Sequence, residues 1–149
     1  MSIVDVFSQM SSHMIEGMMV HEQIMNSYLF LGLKGYAACH EYHYLSETTG
    51  YIKLCKFATD HYDILLPDSG RPNNPSIIPK SWRGSDRSSV TAQVRREAME
   101  AALKEWLKWE KDTVALYSKF YRELLDDNQI PASEVVKNYI LDADLLSQL

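Results

Sequence analysis

Cysteine is scarce in this chain. Only Cys39 and Cys55 occur among 149 residues, and their spacing fits neither a zinc finger nor a thiol redox motif. A disulfide framework is therefore excluded. One bridge between the two is open, but a reduced, cytoplasmic setting is the simpler expectation. Strand signals are equally sparse. The chain has no Asn-Gly or Asp-Gly hairpin turn and no long alternating run of β-branched residues. Positive charge is in deficit, with 15 Lys and Arg against 20 Asp and Glu, a net charge of −5. A nucleic-acid partner is not expected, because phosphate binding needs clustered cations. Long apolar runs are missing too. The best, Ile24 to Leu33, is interrupted by Asn26, Ser27 and Gly32 and followed by Lys34, too short and polar to span a bilayer. The first residues, Met1 to Asp5, lack a basic stretch leading into an apolar core, so no signal peptide is expected.

What the chain does have is helical periodicity. Met14, Met18, His21, Met25, Leu29, Gly32 and Tyr36 recur at three- and four-residue steps and predict a helix over about 4–37. Ser8 to Ser12 and the poor helix former Gly17 are places where it could break. Cys39 to Tyr44 reads as a short connection, and Ser46 as the N-cap of a second helix over 45–66. Leu45, Ile52, Cys55, Thr59, Tyr62 and Leu66 would form its inner stripe, and Pro67 would end it. Pro67, Pro72, Pro75 and Pro79, with Gly70 and Gly84, mark 67–87 as a long crossover, pinned by Ile77, Ile78 and Trp82. Ser88 or Ser89 would cap a third helix, 90–126, and Pro131 would open a fourth, 131–148. The expected fold class is all-α: one domain, an antiparallel four-helix bundle with one long crossover.

On the third helix Met99, Ala102, Trp106, Glu110, Thr113, Tyr117, Phe120 and Leu124 form one stripe. Glu110 stands out there, because a charge in a core stripe costs several kcal/mol unless something pairs with it. It needs either a metal ion or a hydrogen-bonding partner, for which Tyr117, His21 and Tyr28 are candidates. His21, on the Met-rich stripe, reads as a satisfied core histidine. His40, Glu41, His43 and Glu47 are rich in ligand types but read as an exposed loop cluster.

Several stretches resemble the ferritin family. Glu97-Ala98-Met99-Glu100-Ala101-Ala102-Leu103 followed by Glu110-Lys111 looks like the third ferritin helix. Asn26-Ser27-Tyr28-Leu29-Phe30-Leu31 is similar to part of the first helix. His61 with Leu65-Leu66 and Gly70-Arg71 resembles the end of the second, and Tyr139 to Asp144 the ligand-bearing stretch of the fourth. The resemblance implies a ferritin-like bundle that binds iron and oxidises Fe(II) with dioxygen or peroxide. Residue by residue, it implies metal ligands at Gln23, His61, Glu110 and Asp144. Gln23 stands where the family has a Glu, and Ala58 where it has the Glu three residues before the histidine. The implied site is therefore a weakened one, short of two anions. Asp142 and Asp144, two residues apart, would face different sides, with Asp144 in the better register.

Two functions follow as expectations. The first is a divergent ferritin-like protein with iron as cofactor. The alternative is a non-enzymatic bundle acting through protein association, its metal site lost. The aromatics, Trp82, Trp106, Trp109, Tyr36, Tyr42, Tyr44 and Tyr51 among them, exceed the needs of one bundle core and point to a homodimer or higher homo-oligomer. Asp144 lies close to the last residue, Leu149, leaving no short fifth helix of the kind that closes storage ferritins, so a closed shell is not expected.

Overall fold

A computed structural model describes residues 2–66 and 90–147, with side chains as far as Leu141. Four helices account for nearly all of it: α1 (Ile3–Phe30), α2 (Lys34–Tyr62), α3 (Ala92–Asp126) and α4 (Ile130–Ser147). No strand occurs among the described residues. The architecture is a helical bundle, in which α1 packs along α2, α3 along α4, and α1 against α3. None of the described helices is long and apolar enough to cross a membrane.

The helix ends are set by local chemistry. At the start of α1 the Ser2 hydroxyl accepts from the Asp5 amide at 3.1 Å, and the Asp5 carboxylate accepts in return from the Ser2 amide, a complete capping box. The end of α1 differs from expectation. The helix stops at Phe30 because Gly32 adopts a left-handed conformation, φ 75°. The Leu33 amide then donates to Tyr28 O at 2.8 Å and the Gly32 amide to Leu29 O at 3.1 Å. This is a Schellman turn, which favours glycine because it carries no Cβ. Asn128, φ 60°, makes the equivalent turn after α3, with Gln129 N donating to Leu124 O at 2.8 Å.

Two corrections follow. The first turn is at Leu31–Leu33, and Cys39 to Tyr44 is helix interior, so α2 begins at Lys34 rather than 45. Between Lys34 and Tyr44 the only weak helix former is Gly35, which sits in the first turn of α2 without the positive φ that makes Gly32 a stop. The inner face of α2 also moves. Leu45 and Ile52 are exposed, while Ala37, His40, Leu54 and Ala58 are buried. At its far end α2 stops at Tyr62, with Asp63 left-handed at φ 53°, before Pro67 is reached. Thr91 caps α3, accepting from the Val94 amide at 3.2 Å. The expectations placed on Pro67, the crossover 67–87 and Ser88 or Ser89 lie outside the described residues.

The core forms two apolar clusters. One gathers Phe7, Met10, Met14, Leu54, Ala58, Tyr117, Phe120 and Val136, and the other Val20, Ile24, Tyr28, Leu31, Ala102 and Trp109. On α2 and α3 the change from one to the other falls between Ala37 and Leu54 and between Tyr117 and Trp109. Glu47 and Glu110 lie in those intervals.

Helix α1 runs unbroken through Ser8–Ser12, where Ser11 and Ser12 donate to Ser8 O at 2.9 and 3.1 Å. Gly17 is there for space. A Cβ at this position would fall on Cζ2 of Trp109 and lie 2.7 Å from Cη2. The indole cannot give way, since it is buried and stacked on His13 at 4.8 Å. Gly17→Ala is therefore expected to cost about 1–3 kcal/mol by overpacking, despite alanine's better helix propensity. Thermal unfolding measures it, and an unchanged or raised Tm would show that the α1–α3 contact is looser than described.

Candidate metal centre

Three ligand-bearing side chains from three helices meet in the interior. One ligand atom from each of His21 on α1, Glu47 on α2 and Glu110 on α3 lies within 4.8 Å of the other two. His21 is fully buried, Glu110 nearly so, and Glu47 half-buried. Each arrives by helical register. On α1 the buried face runs Met14, Gly17, His21, Ile24, Tyr28. On α2 the order Ala37, His40, Tyr44, Glu47, Tyr51, Leu54, Ala58 alternates three- and four-residue steps, which line one face. On α3 Glu110 stands between Ala102 and Tyr117 on the buried stripe.

The surroundings orient the two best-buried members. Trp106 Nε1 donates to Glu110 Oε1 at 3.1 Å. The same indole meets the rings of His21 and His40 edge-on, at 5.8 and 5.1 Å. His21 Nδ1 lies 2.9 Å from Nδ1 of His40, itself buried, and His43 stacks on His21 at 5.2 Å. His21 Nε2 is buried and has no hydrogen-bond partner among the described residues. A buried imidazole nitrogen left in that state is unusual, since such groups are nearly always satisfied.

Burial sets the protonation states. Desolvation, reinforced by the neighbouring His40 and His43, lowers the pKa of His21 to about 3. Desolvation lowers His40 to about 4, and His43 in the same direction. Glu110 is pushed the other way, to about 7, by burial that the Trp106 hydrogen bond only partly offsets. The histidines are thus neutral near pH 7, the form that binds metals, while Glu110 stands close to its own titration point. Tyr117 is raised well above the usual tyrosine range, by burial and then by the charges of Glu47, Tyr139 and Glu110.

A neutral imidazole and two carboxylates suit a divalent cation such as Fe(II), Mn(II) or Zn(II), since the two anions match its charge. His21 offers the third donor, and its Nε2 has no other partner among the described residues, so the residues present fit a single metal ion.

The four positions taken from the ferritin resemblance are placed unevenly. Glu110 is in the cluster. His61 is exposed on the last turn of α2, against Phe57 at a ring separation of 4.6 Å. Fourteen residues of helix separate it from Glu47, about 21 Å along the axis, so the two cannot share an ion. Ala58 is fully buried in the apolar cluster. Gln23 is half-buried, two residues beyond His21 and therefore turned to a different side of α1. Asp144 belongs to α4, but its side chain, like that of Asp142, lies outside the described residues.

In the sequence His21 reads only as a core histidine or a hydrogen-bonding partner of Glu110, and Glu47 and His40 as part of an exposed loop cluster. Reading 39–44 as a loop broke the stripe from Ala37 to Ala58 in two. The signal was present in the spacing of His40, His43 and Glu47 and in Gly32 as a helix stop. No family model matches the chain, and neither a curated protein nor a solved structure matches it. The functional reading therefore rests on these residues.

Proposed function

We propose that the chain is a divergent ferritin-like bundle, with α1–α2 and α3–α4 as antiparallel hairpins, that holds one divalent metal ion, iron in the first instance. His21, Glu47 and Glu110 would be its protein ligands. The observation that carries this reading is the convergence of their ligand atoms within 4.8 Å, at a histidine whose Nε2 is buried with nothing to bond. A bound Fe(II) would supply one-electron reducing chemistry toward dioxygen or peroxide. The protein's own part is to present the donors, keep His21 neutral and hold Glu110 through Trp106.

This reading changes the ligand set that the ferritin resemblance implies. It keeps Glu110 and uses an α2 carboxylate three turns nearer the start of that helix than Ala58. The expected result is one Fe(II) per chain on anaerobic titration, followed by an absorbance change on admitting oxygen. Retention of substoichiometric metal, with an oxidation rate unaltered by Glu110→Ala, would sink the proposal.

A second reading has its own support. With a pKa near 7, Glu110 can remain a neutral acid hydrogen-bonded within the bundle and need no metal. The scaffold would then serve association alone. Leu103 and Leu107, one turn apart on α3, are both exposed and would suit a homo-oligomer contact. Sedimentation at micromolar concentration tests this, a monomer being the adverse result.

A further inference from the structure

His21 presents an unusual arrangement for a buried histidine. A metal-binding imidazole ordinarily donates its second ring N–H to a carboxylate, a carbonyl or water, and that bond decides which nitrogen faces the ion. Here the atom facing His21 Nδ1, at 2.9 Å, is Nδ1 of another histidine, His40. Two nitrogens at that distance need one of them bare, since two N–H groups pointed at each other would clash. A hydrogen bond between two neutral imidazoles needs one proton, carried by one ring or the other.

The two placements are not equivalent. If His40 carried the shared proton, His21 would have to carry its own on Nε2. That N–H would be buried with no acceptor among the described residues. A buried Nε2 without a partner costs roughly 1–3 kcal/mol in either form, and only an ion on its lone pair removes that cost. If His21 Nδ1 donates instead, Nε2 is left with a bare lone pair, the form a metal takes. His40 then carries its proton on Nε2. The edge of Trp106 against both rings and the stack of His43 on His21 hold the two imidazoles in this relation.

We propose that His40 is the positioning residue of the centre: its Nδ1 accepts the Nδ1 proton of His21 and so fixes the tautomer in which His21 Nε2 is free to bind a metal ion. The inference rests on the proposed metal site, since the ion takes the Nε2 lone pair and leaves the His21 proton on Nδ1, where His40 alone faces it. The pair also joins helices α1 and α2 across their interface, so the bond that selects the tautomer also locks the side chain in place.

Nitrogen NMR of the imidazoles in wild-type protein loaded with diamagnetic Zn(II) at pH 7 is the direct test. The expected result is His21 protonated at Nδ1 and His40 at Nε2. A proton on Nδ1 of His40 in that complex would overturn the proposal while leaving the metal site intact. Two variants add the functional arm, with Fe(II) titrated under argon as the probe. His40→Phe keeps bulk and removes the acceptor, and is expected to weaken binding about 10–100-fold, the usual cost of losing such a partner. His40→Asn places Oδ1 one bond from Cγ, where Nδ1 stood, and is expected to restore affinity to within about threefold. Equal losses in both variants, or none in either, would make His40 a packing residue only. Failure of wild-type protein to bind either Fe(II) or Zn(II) would overturn the metal site and this inference with it.

Discussion

Glu110→Gln is expected to abolish metal retention while leaving the metal-free protein more stable above neutral pH. The amide keeps the shape of the side chain and still offers an oxygen to Trp106 Nε1. What it removes is the charge that makes the position a ligand. Affinity should fall by more than the roughly 10–100-fold that outer partners cost, because a direct donor and half the neutralising charge are lost together. The stability effect has the opposite sign. The folded protein holds Glu110 at about 7, and an unfolded glutamate titrates near 4.3. Below about pH 4 both states keep the proton and nothing is gained or lost. Between about 4 and 7 the unfolded state gives up its proton first, so stability falls as pH rises, and above 7 the loss is complete. At about 1.4 kcal/mol per pH unit this amounts to something on the order of 3 kcal/mol. Chemical denaturation of wild type and Glu110→Gln at pH 5 and pH 8, metal-free, measures it. The variant should gain more at pH 8 than at pH 5, where only about 1 kcal/mol of the loss has set in. Equal stability at both values would mean that Glu110 is better solvated than its burial indicates.

The second large effect is a pH profile in which histidine and carboxylate act in opposite senses. His13, His21 and His40 titrate at about 4, 3 and 4 in the folded protein, each lowered chiefly by desolvation. Unfolded histidine titrates near 6.5. Below 6.5 the unfolded state therefore binds protons that the folded state refuses, and stability declines as the pH drops. Three such groups outweigh the single contrary trend of Glu110, so the metal-free protein should lose stability steeply from pH 6.5 towards 4. Acid unfolding followed by circular dichroism tests the sign.

His13 also makes a defined hydrogen bond. The Thr113 hydroxyl donates to Trp109 O at 2.7 Å. It must therefore accept, at 2.6 Å, from His13 Nε2. His13→Gln should accordingly flatten part of the acid transition. Metal affinity should follow a different curve. His21 offers no proton competition above about pH 4, so Glu110 contributes about a tenfold gain in affinity per pH unit below 7, levelling off above it. A wild-type affinity unchanged between pH 5 and pH 7 would rule this out.

The all-helical fold and the placing of α3 and α4 were legible in the sequence, because apolar periodicity and polar turns are local signals. The stripe from Ala102 through Glu110 to Leu124 is the buried face of α3, and Pro131 lies in the first turn of α4 as its fixed φ favours. Glu110 was recognisable as anomalous for the same reason, as one charge on an otherwise apolar stripe. The first helical pair was less legible. Gly32 fits a three- and four-residue pattern as well as Tyr36 does, and periodicity cannot distinguish a residue that continues a helix from one that ends it. A helix boundary misplaced by several residues then hid the face of α2 that carries His40 and Glu47.

By itself, then, the sequence determined the helices, most of their amphipathic faces and the one carboxylate that had no place in a core. Only the tertiary structure decided its neighbours. His21, Glu47 and Glu110 lie on three helices, and no local rule relates residues so far apart. Their meeting depends on where Gly32 turns the chain and on how deeply Trp109 seats against Gly17. The charge states follow from that packing as well, because burial, which no single residue carries in its own chemistry, neutralises the histidines and brings Glu110 to the edge of ionisation.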